Sequence, residues 1–164
     1  MLPDVLAKQP TVAALEAWDA SAILDGKYDR SELTLVIEPE RIADVCCFLK
    51  KERQYNRLAA VTAVDWWPAE PRFEVVYLLH SLPLNERLRL KCRLPGDAAQ
   101  IETVCRVWKA ADWYEREVFD LFGIRFRNHP NLTRIMMPEG WQGHPLRKDY
   151  PTAGRYSYQG EAIS

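Results

Sequence analysis

The stretch RFEVVYLLHSLPLNERLRLKCRL, residues 72–94, decides the fold class. Its first half, Arg72 to Leu82, is an apolar run of strand length centred on Val75-Val76-Tyr77-Leu78-Leu79. Its second half, Glu86 to Leu94, alternates strictly, with Leu88, Leu90 and Cys92 on one face and Arg87, Arg89, Lys91 and Arg93 on the other. A period of two marks a half-buried strand, and the short loop around Pro83 permits a hairpin. The four cations read as a solvated face, with a docking face for an acidic partner as the alternative.

Working outward, Ser31 to Glu38 is a strand with Leu33, Leu35 and Ile37 on one face. Pro39 suits a first helical turn and opens a helix through about Gln54, whose stripe is Ile42, Val45, Cys46 and Leu49. Arg57 to Trp67 returns as a strand and stops at Pro68, while Trp18 to Leu24 reads as a first strand ended by Asp25-Gly26. After the hairpin, Pro95-Gly96 breaks the sheet and Asp97 is expected to cap a short helix to about Val104. A further helix runs from about Ala110 to Phe122 on a stripe of Tyr114, Val118, Leu121 and Phe122, with Arg116 and Asp120 spaced to pair. Gly123 supplies its left-handed stop and Ile124 packs back. The expected fold is α+β: a mostly antiparallel sheet with helices packed on one face, followed by a long irregular C-terminal arm.

That arm begins after Phe126, where helical and strand periods both end. Pro130, Pro138, Pro145 and Pro151 punctuate it and push each preceding residue toward extended backbone. A long irregular segment in a compact chain normally marks function or a partner. The division expected is 1–126 as the α+β domain and 127–164 as an arm that packs on a partner subunit. Arg147-Lys148-Asp149-Tyr150 is too polar to fill a core, and Arg reads carboxylates as a planar fork. Trp141, Leu146, Tyr150, Tyr156 and Tyr158 offer apolar anchors, whereas Trp66 or Trp67 and Trp108 are expected in the domain's own core.

Composition excludes several classes. The 164 residues suit one domain, and 48% hydrophobic with 27% charged residues is ordinary for a folded chain. Lys+Arg 22 against Asp+Glu 23 lacks the basic excess of a nucleic-acid binder. The apolar runs are strand-sized, far from the ~20 residues of a membrane helix. Met1 to Pro10 has no apolar core segment, so no signal peptide is expected there. Cys46, Cys47, Cys92 and Cys105 show no C-x-x-C spacing and read as buried, reduced thiols. Gly140 and Gly143 flank Trp141 without a preceding strand, so no nucleotide loop is expected.

Two constellations could carry chemistry. His129, His144, Glu139 and Asp149 are the candidates for a metal or acid–base site, but both imidazoles lie on irregular chain just before a proline. The better reading is that each bonds backbone groups where proline has removed an N–H. Glu115 and Glu117 are two apart on a helix and point to different sides, so they cannot share a substrate.

Three blocks carry a family resemblance. Trp113-Tyr114-Glu115-Arg116-Glu117-Val118-Phe119-Asp120-Leu121-Phe122-Gly123-Ile124 resembles the E-R-E-x-x-D-x-x-G-I segment of the respiratory complex I C subunit, the 30 kDa subunit family of NADH:quinone oxidoreductase. His129-Pro130-x-Leu132-x-Arg134-Ile135 and Gly143-His144-Pro145-Leu146-Arg147-Lys148-Asp149-Tyr150-Pro151 resemble its next two segments, in its order and spacing. Thr62 to Asp65 and Phe73 to Leu79 are similar to its two central strands.

The resemblance implies a non-catalytic, structural and assembly subunit of the peripheral arm of a proton-translocating complex, on the cytoplasmic side of a bacterial inner membrane. It implies the large quinone-site subunit and iron–sulfur subunits as partners in a hetero-oligomer, with membrane contact only through the complex. FMN and iron–sulfur clusters would belong to partner subunits, and NADH and quinone to the complex as substrates, with no cofactor on this chain. Interface or motif residues are then Glu115, Arg116, Glu117, Asp120, Gly123, His129, Pro130, Arg134, His144, Pro145, Arg147, Lys148 and Asp149. One alternative is the equivalent subunit of a ferredoxin- or F420-linked quinone reductase or of a membrane-bound hydrogenase. Asn128 before His129 and Met136-Met137-Pro138-Glu139 resemble the photosynthetic, ferredoxin-using branch. The alternative from another class is a small stand-alone metal-dependent enzyme.

The isolated chain is therefore expected to be colourless, to bind no NADH and to have no oxidoreductase activity alone. A flavin or iron–sulfur absorption band in metal-replete protein would contradict this.

Overall fold

The computed structural model describes residues 4–152. Its elements in chain order are α1 (Asp4–Ala7), α2 (Pro10–Asp19), β1 (Ile23–Asp29), β2 (Glu32–Ile37), α3 (Ile42–Glu52), β3 (Arg57–Asp65), β4 (Phe73–Ser81), β5 (Glu86–Leu94), β6 (Gln100–Glu102), α4 (Ala111–Phe122) and β7 (Arg125–Arg127). Five strands form one sheet in the order β1-β2-β5-β4-β3, antiparallel except for the parallel β2–β5 pair. The fold is the expected α+β type. The hairpin of residues 72–94 sits in the sheet with Tyr77 opposite Leu90.

Alternation decides which face is covered. Leu35, Ile37, Leu58, Val61, Val75, Tyr77, Leu88, Leu90 and Cys92 point into a core that Val12 and Leu15 of α2, Ile42, Val45, Cys46 and Leu49 of α3, and Val118 and Phe122 of α4 close. A side chain fully removed from water in this way contributes about 1.5–3 kcal/mol before entropy is counted. The other sheet face carries the charged side chains of β5, with Lys91 and Arg89 paired to Glu74 and Glu32.

Three local expectations fail for tertiary reasons. The strand expected over Trp18 to Leu24 starts late: Pro10 begins α2, which runs to Asp19, a 3-10 turn follows at Ala20–Ala22, and β1 begins only at Ile23. Gly26 does not end β1 but lies inside it opposite Leu35, where an added Cβ would stand 2.9 Å from Leu6 Cδ1. Asp97 caps no helix, because Gln100–Glu102 pairs in parallel with Arg125–Arg127, a contact that no local period can announce. Trp108 is buried as expected, but Trp66 and Trp67 are each roughly half exposed.

The segment after Arg127 has no helix or strand up to residue 152, as expected. It is not an arm detached from the domain, however, since residues 133–149 bond back to α4 and to the ends of β3 and β4. Position 126 is therefore no packing boundary. Tyr156 and Tyr158 lie outside the described residues.

Candidate functional site

The site is built on α4, whose own sequence sets up its need for partners. Ala111, Glu115, Val118 and Phe122 face the body of the domain, and Asp120 is fully buried under the following segment. The Asp120 Oδ2 accepts backbone N–H groups of Ile135 at 3.1 Å, Met136 at 2.7 Å and Met137 at 2.9 Å. Its Oδ1 accepts from Arg134 at 3.1 Å, and the same guanidinium donates to the Gly143 carbonyl at 2.9 Å. Consecutive N–H groups closing on one carboxylate form a backbone nest, and the ionised acceptor strengthens each bond. The expected Arg116–Asp120 pair does not form; Arg116 donates to Thr133 instead and lies 5.0 Å over the Trp113 ring.

The last turn of a helix leaves carbonyls without partners. Here the segment supplies them. His144 Nδ1–H donates to the Asp120 carbonyl at 2.9 Å, Leu146 N–H to Leu121 at 3.0 Å and Arg147 Nε–H to Phe122 at 2.6 Å. Gly123 is needed twice over: its φ of 76° is left-handed, and a Cβ there would meet His144 Cδ2 at 2.6 Å and Arg147 Nη2 at 2.7 Å. Burial lowers the His144 pKa, outweighing the Asp120 carbonyl that favours its charged form. Arg147, expected to reach a partner, is half-buried and caps its own helix.

A second cluster ties the segment to the sheet. Arg72 grips Asp65 with two bonds of 2.8 Å and Asp149 with bonds of 2.8 and 3.1 Å. The N–H groups of Lys148 and Trp67 also reach the Asp65 carboxylate, at 2.8 and 3.0 Å. Burial works against ionised Asp65, but Arg72 and those two N–H groups outweigh it and hold its pKa well below the carboxylate range. Arg72 likewise lowers the pKa of Asp149. Asp149 is more exposed, so solvent screens its share.

A third cluster lies at the start of α4. Glu115, fully buried, accepts from Thr103 Oγ1 at 2.5 Å, Val104 N–H at 2.8 Å and Cys105 Sγ at 3.4 Å. Burial pushes its pKa up from 4.5 to about 7 against those three donors, and burial also lifts the Cys105 thiol to about 12. Cys105, Glu115 and His129 place ligand atoms within 4.8 Å of one another, a spacing a divalent ion would accept. The tautomer argues otherwise. Asn131 N–H donates to His129 Nδ1 at 3.0 Å, so the proton sits on Nε2 and points at the Asp112 carbonyl 3.3 Å away. Nε2 thus presents no lone pair to an ion, and the cluster reads as a hydrogen-bonded brace for residues 103–105.

Most of the residues expected at the site therefore come together around α4, though in two groups. Asp120, Gly123, Arg134, His144 and Arg147 meet at its C-terminal end, while Glu115 and His129 meet near its start. Lys148 and Asp149 belong to the Arg72 cluster. Glu117 is half-buried outside these clusters, Pro130 is exposed and Pro145 is half-buried. His129 and His144 bond α4 carbonyls about two turns apart and share no site. Sequence reasoning misses Asp65 and Arg72 as site residues. Their signal is an acid and a base closing a proline-bearing loop, a weak one without the third partner, Asp149.

Comparison with known proteins gives a consistent result. The family described as "Respiratory-chain NADH dehydrogenase, 30 Kd subunit" matches residues 35–156. The C subunit of the NADH-quinone oxidoreductase of Geotalea uraniireducens is 47% identical over 161 residues, covering 97% of this chain and 98% of that protein. The C subunit of the same enzyme from Geobacter sulfurreducens is 51% identical over 144 residues, 86% of this chain and 89% of its own. Among solved structures, the trypsin-resistant fragment (1-134) of Nqo5 superposes with a TM-score of 0.64 at 32% identity, covering 73% of this chain and 97% of the fragment. A chain of the membrane-bound sulfane sulfur reductase, an archaeal respiratory membrane complex, gives 0.66 at 29% identity, covering 86% and 84%.

Two measurements test the geometry. Asp120→Ala leaves three amides and a guanidinium facing a void, and breaking a buried charge pair costs on the order of 3–5 kcal/mol. Its melting temperature is expected to fall by roughly 10 °C, with faster tryptic cutting after Arg134 and Arg147; a change within about 2 °C would refute the pin. The second concerns Glu115. A carboxyl whose pKa rises on folding favours the fold fully below its ordinary value of 4.5 and loses that benefit as pH climbs to about 7. The difference is on the order of 3 kcal/mol. Glu115→Gln is expected to melt progressively higher relative to the native chain between pH 4.5 and 7, by roughly 5–10 °C in all. Parallel melting curves across that range would contradict it.

Proposed function

We propose a supporting role for this chain, which belongs to the 30 kDa subunit family of the respiratory-chain NADH dehydrogenases: it holds the large quinone-site subunit of the peripheral arm in place. It is a subunit of an NADH-quinone oxidoreductase, a hetero-oligomeric respiratory complex. On this reading FMN and the iron–sulfur clusters sit on neighbouring subunits and electrons pass through those. No helix among the described residues is long and apolar enough to cross a membrane. Membrane association, on the cytoplasmic side of a bacterial inner membrane, would then come through the complex.

One observation carries the proposal. The segment locked onto α4 and the helix beneath it leave Trp113 62%, Met136 60% and Leu146 52% exposed, on backbone that the Asp120 and Arg72 clusters hold fixed. Large apolar side chains on rigid backbone are suited to anchor a partner, because aromatic and apolar groups carry much of the energy of a contact surface. A surface built in advance loses little freedom on docking, which is what a scaffold needs. Residues 127–152 thus serve both the domain and the partner.

The likeness to an archaeal sulfane sulfur reductase chain supports a second reading, the same role in a related assembly. The 47% and 51% identity to NADH-quinone oxidoreductase subunits favours the first.

Recovery of the complex from solubilised membranes tests the role. A tagged native chain is expected to bring down the large quinone-site subunit, and the double variant Trp113→Glu with Leu146→Glu to lose at least nine-tenths of it. Because both positions are exposed, the isolated variant should melt within about 2 °C of the native chain. Undiminished recovery would place the partner elsewhere.

A further inference from the structure

We propose that the open face of the five-stranded sheet, at the end where β3 begins, docks an acidic segment of a neighbouring subunit. The inference rests on membership of the complex and concerns a surface separate from α4.

The argument starts from strand register. Arg57 of β3 lies directly opposite His80 of β4, and His80 directly opposite Arg87 of β5. Three basic side chains in one cross-strand row repel when charged, and like charges placed so are destabilising. Elsewhere on this face the cations are answered within the chain. Lys91 and Arg93 pair with Glu74 at 2.8 and 3.7 Å, and Arg89 pairs with Glu32 at 3.1 Å. Glu86, next to Arg87 in the chain, already accepts from the Tyr55 hydroxyl at 3.0 Å. Among the described residues Arg57 and Arg87 have no carboxylate within ion-pair distance, although the whole chain carries a net charge of -1.

The same end of the face is concave. Arg57, Ala59, Leu78, His80 and Arg87 line a cavity of about 370 Å³ together with the Arg89–Glu32 pair, whose carboxylate is already taken by Arg89 and leaves Arg57 and Arg87 as the unanswered cations. Its floor includes Ala59, which the register of β3 against β4 skips; a bulge of this kind bends a strand and re-aims its neighbours. Beside it, the tip of the β4–β5 hairpin leaves Leu82 and Leu84 exposed. Two guanidiniums flanking an imidazole over an aliphatic floor match carboxylates carried next to an apolar side chain. An extended acidic peptide segment offers that combination, and Arg holds carboxylates as a two-pronged donor. Since β3 runs from Arg57 to Asp65, this end of the sheet lies away from the Arg72 cluster, and both surfaces can be occupied together.

The test uses the assembled complex. Leu84→p-benzoylphenylalanine, at an exposed position, is introduced into the full chain and irradiated in solubilised membranes. The expected product is a cross-link to another subunit within a stretch rich in Asp and Glu, with a yield at least tenfold lower when Arg57→Glu and Arg87→Glu are added. If that pair does not fold, judged by a melt of the isolated chain, Arg57→Gln with Arg87→Gln takes its place. The proposal is overturned by a complex that contains the chain but gives no cross-link, or by a cross-linked stretch without acidic residues. It is equally overturned by a cross-link to a second copy, or by a yield indifferent to both charge variants. A chain absent from the complex altogether overturns the supporting role, and this inference with it.

Discussion

Asp120 sits fully buried near the end of α4 and gathers the N–H groups of Ile135, Met136 and Met137 together with the Arg134 guanidinium. A carboxylate without water must be satisfied in full, so this residue dictates the path of the chain that follows it. Once residues 134–137 are pinned, the return past Gly143 brings His144, Leu146 and Arg147 to the three carbonyls at the helix end. Lys148 and Asp149 then reach Asp65 and Arg72 at the edge of the sheet. Without the pin, that order of contacts would have to form from a segment that has no helical or strand bonding of its own.

Much of the fold was legible because it is periodic. The β4–β5 hairpin, β2, β3 and α3 announce themselves by alternation or by a helical stripe, and each appears within a few residues of its expected bounds. What stayed hidden depends on partners distant in the chain. The pairing of Gln100–Glu102 with Arg125–Arg127 joins strands too short to show a period. Local spacing also misled at Asp120: Arg116 lies one turn away, but three amides and the Arg134 guanidinium fill the buried carboxylate, while Arg116 bonds Thr133.

The candidate site was legible as residues but not as roles. The motif blocks named Asp120, His144 and Arg147, and the expectation that both imidazoles bond backbone groups agrees with the carbonyl contacts observed. Polarity and prolines made the segment look as though it required a partner in order to fold. The structure shows that the same polar groups cap a helix and complete a buried ion cluster, while the apolar side chains turn outward. Polarity in this segment is therefore the means of folding, and under the proposed role the outward apolar groups are what remains for assembly.

The central claim is that residues 134–149 belong to the domain before any partner arrives. Amide hydrogen exchange on the isolated full chain tests it directly at Ile135, Met136, Met137, Leu146 and Lys148, whose N–H groups bond within the chain. The account predicts that they exchange within about tenfold of the last-turn amides of α4, as members of one cooperative unit do. Exchange at the rate of an unfolded peptide, with α4 still protected, would contradict it.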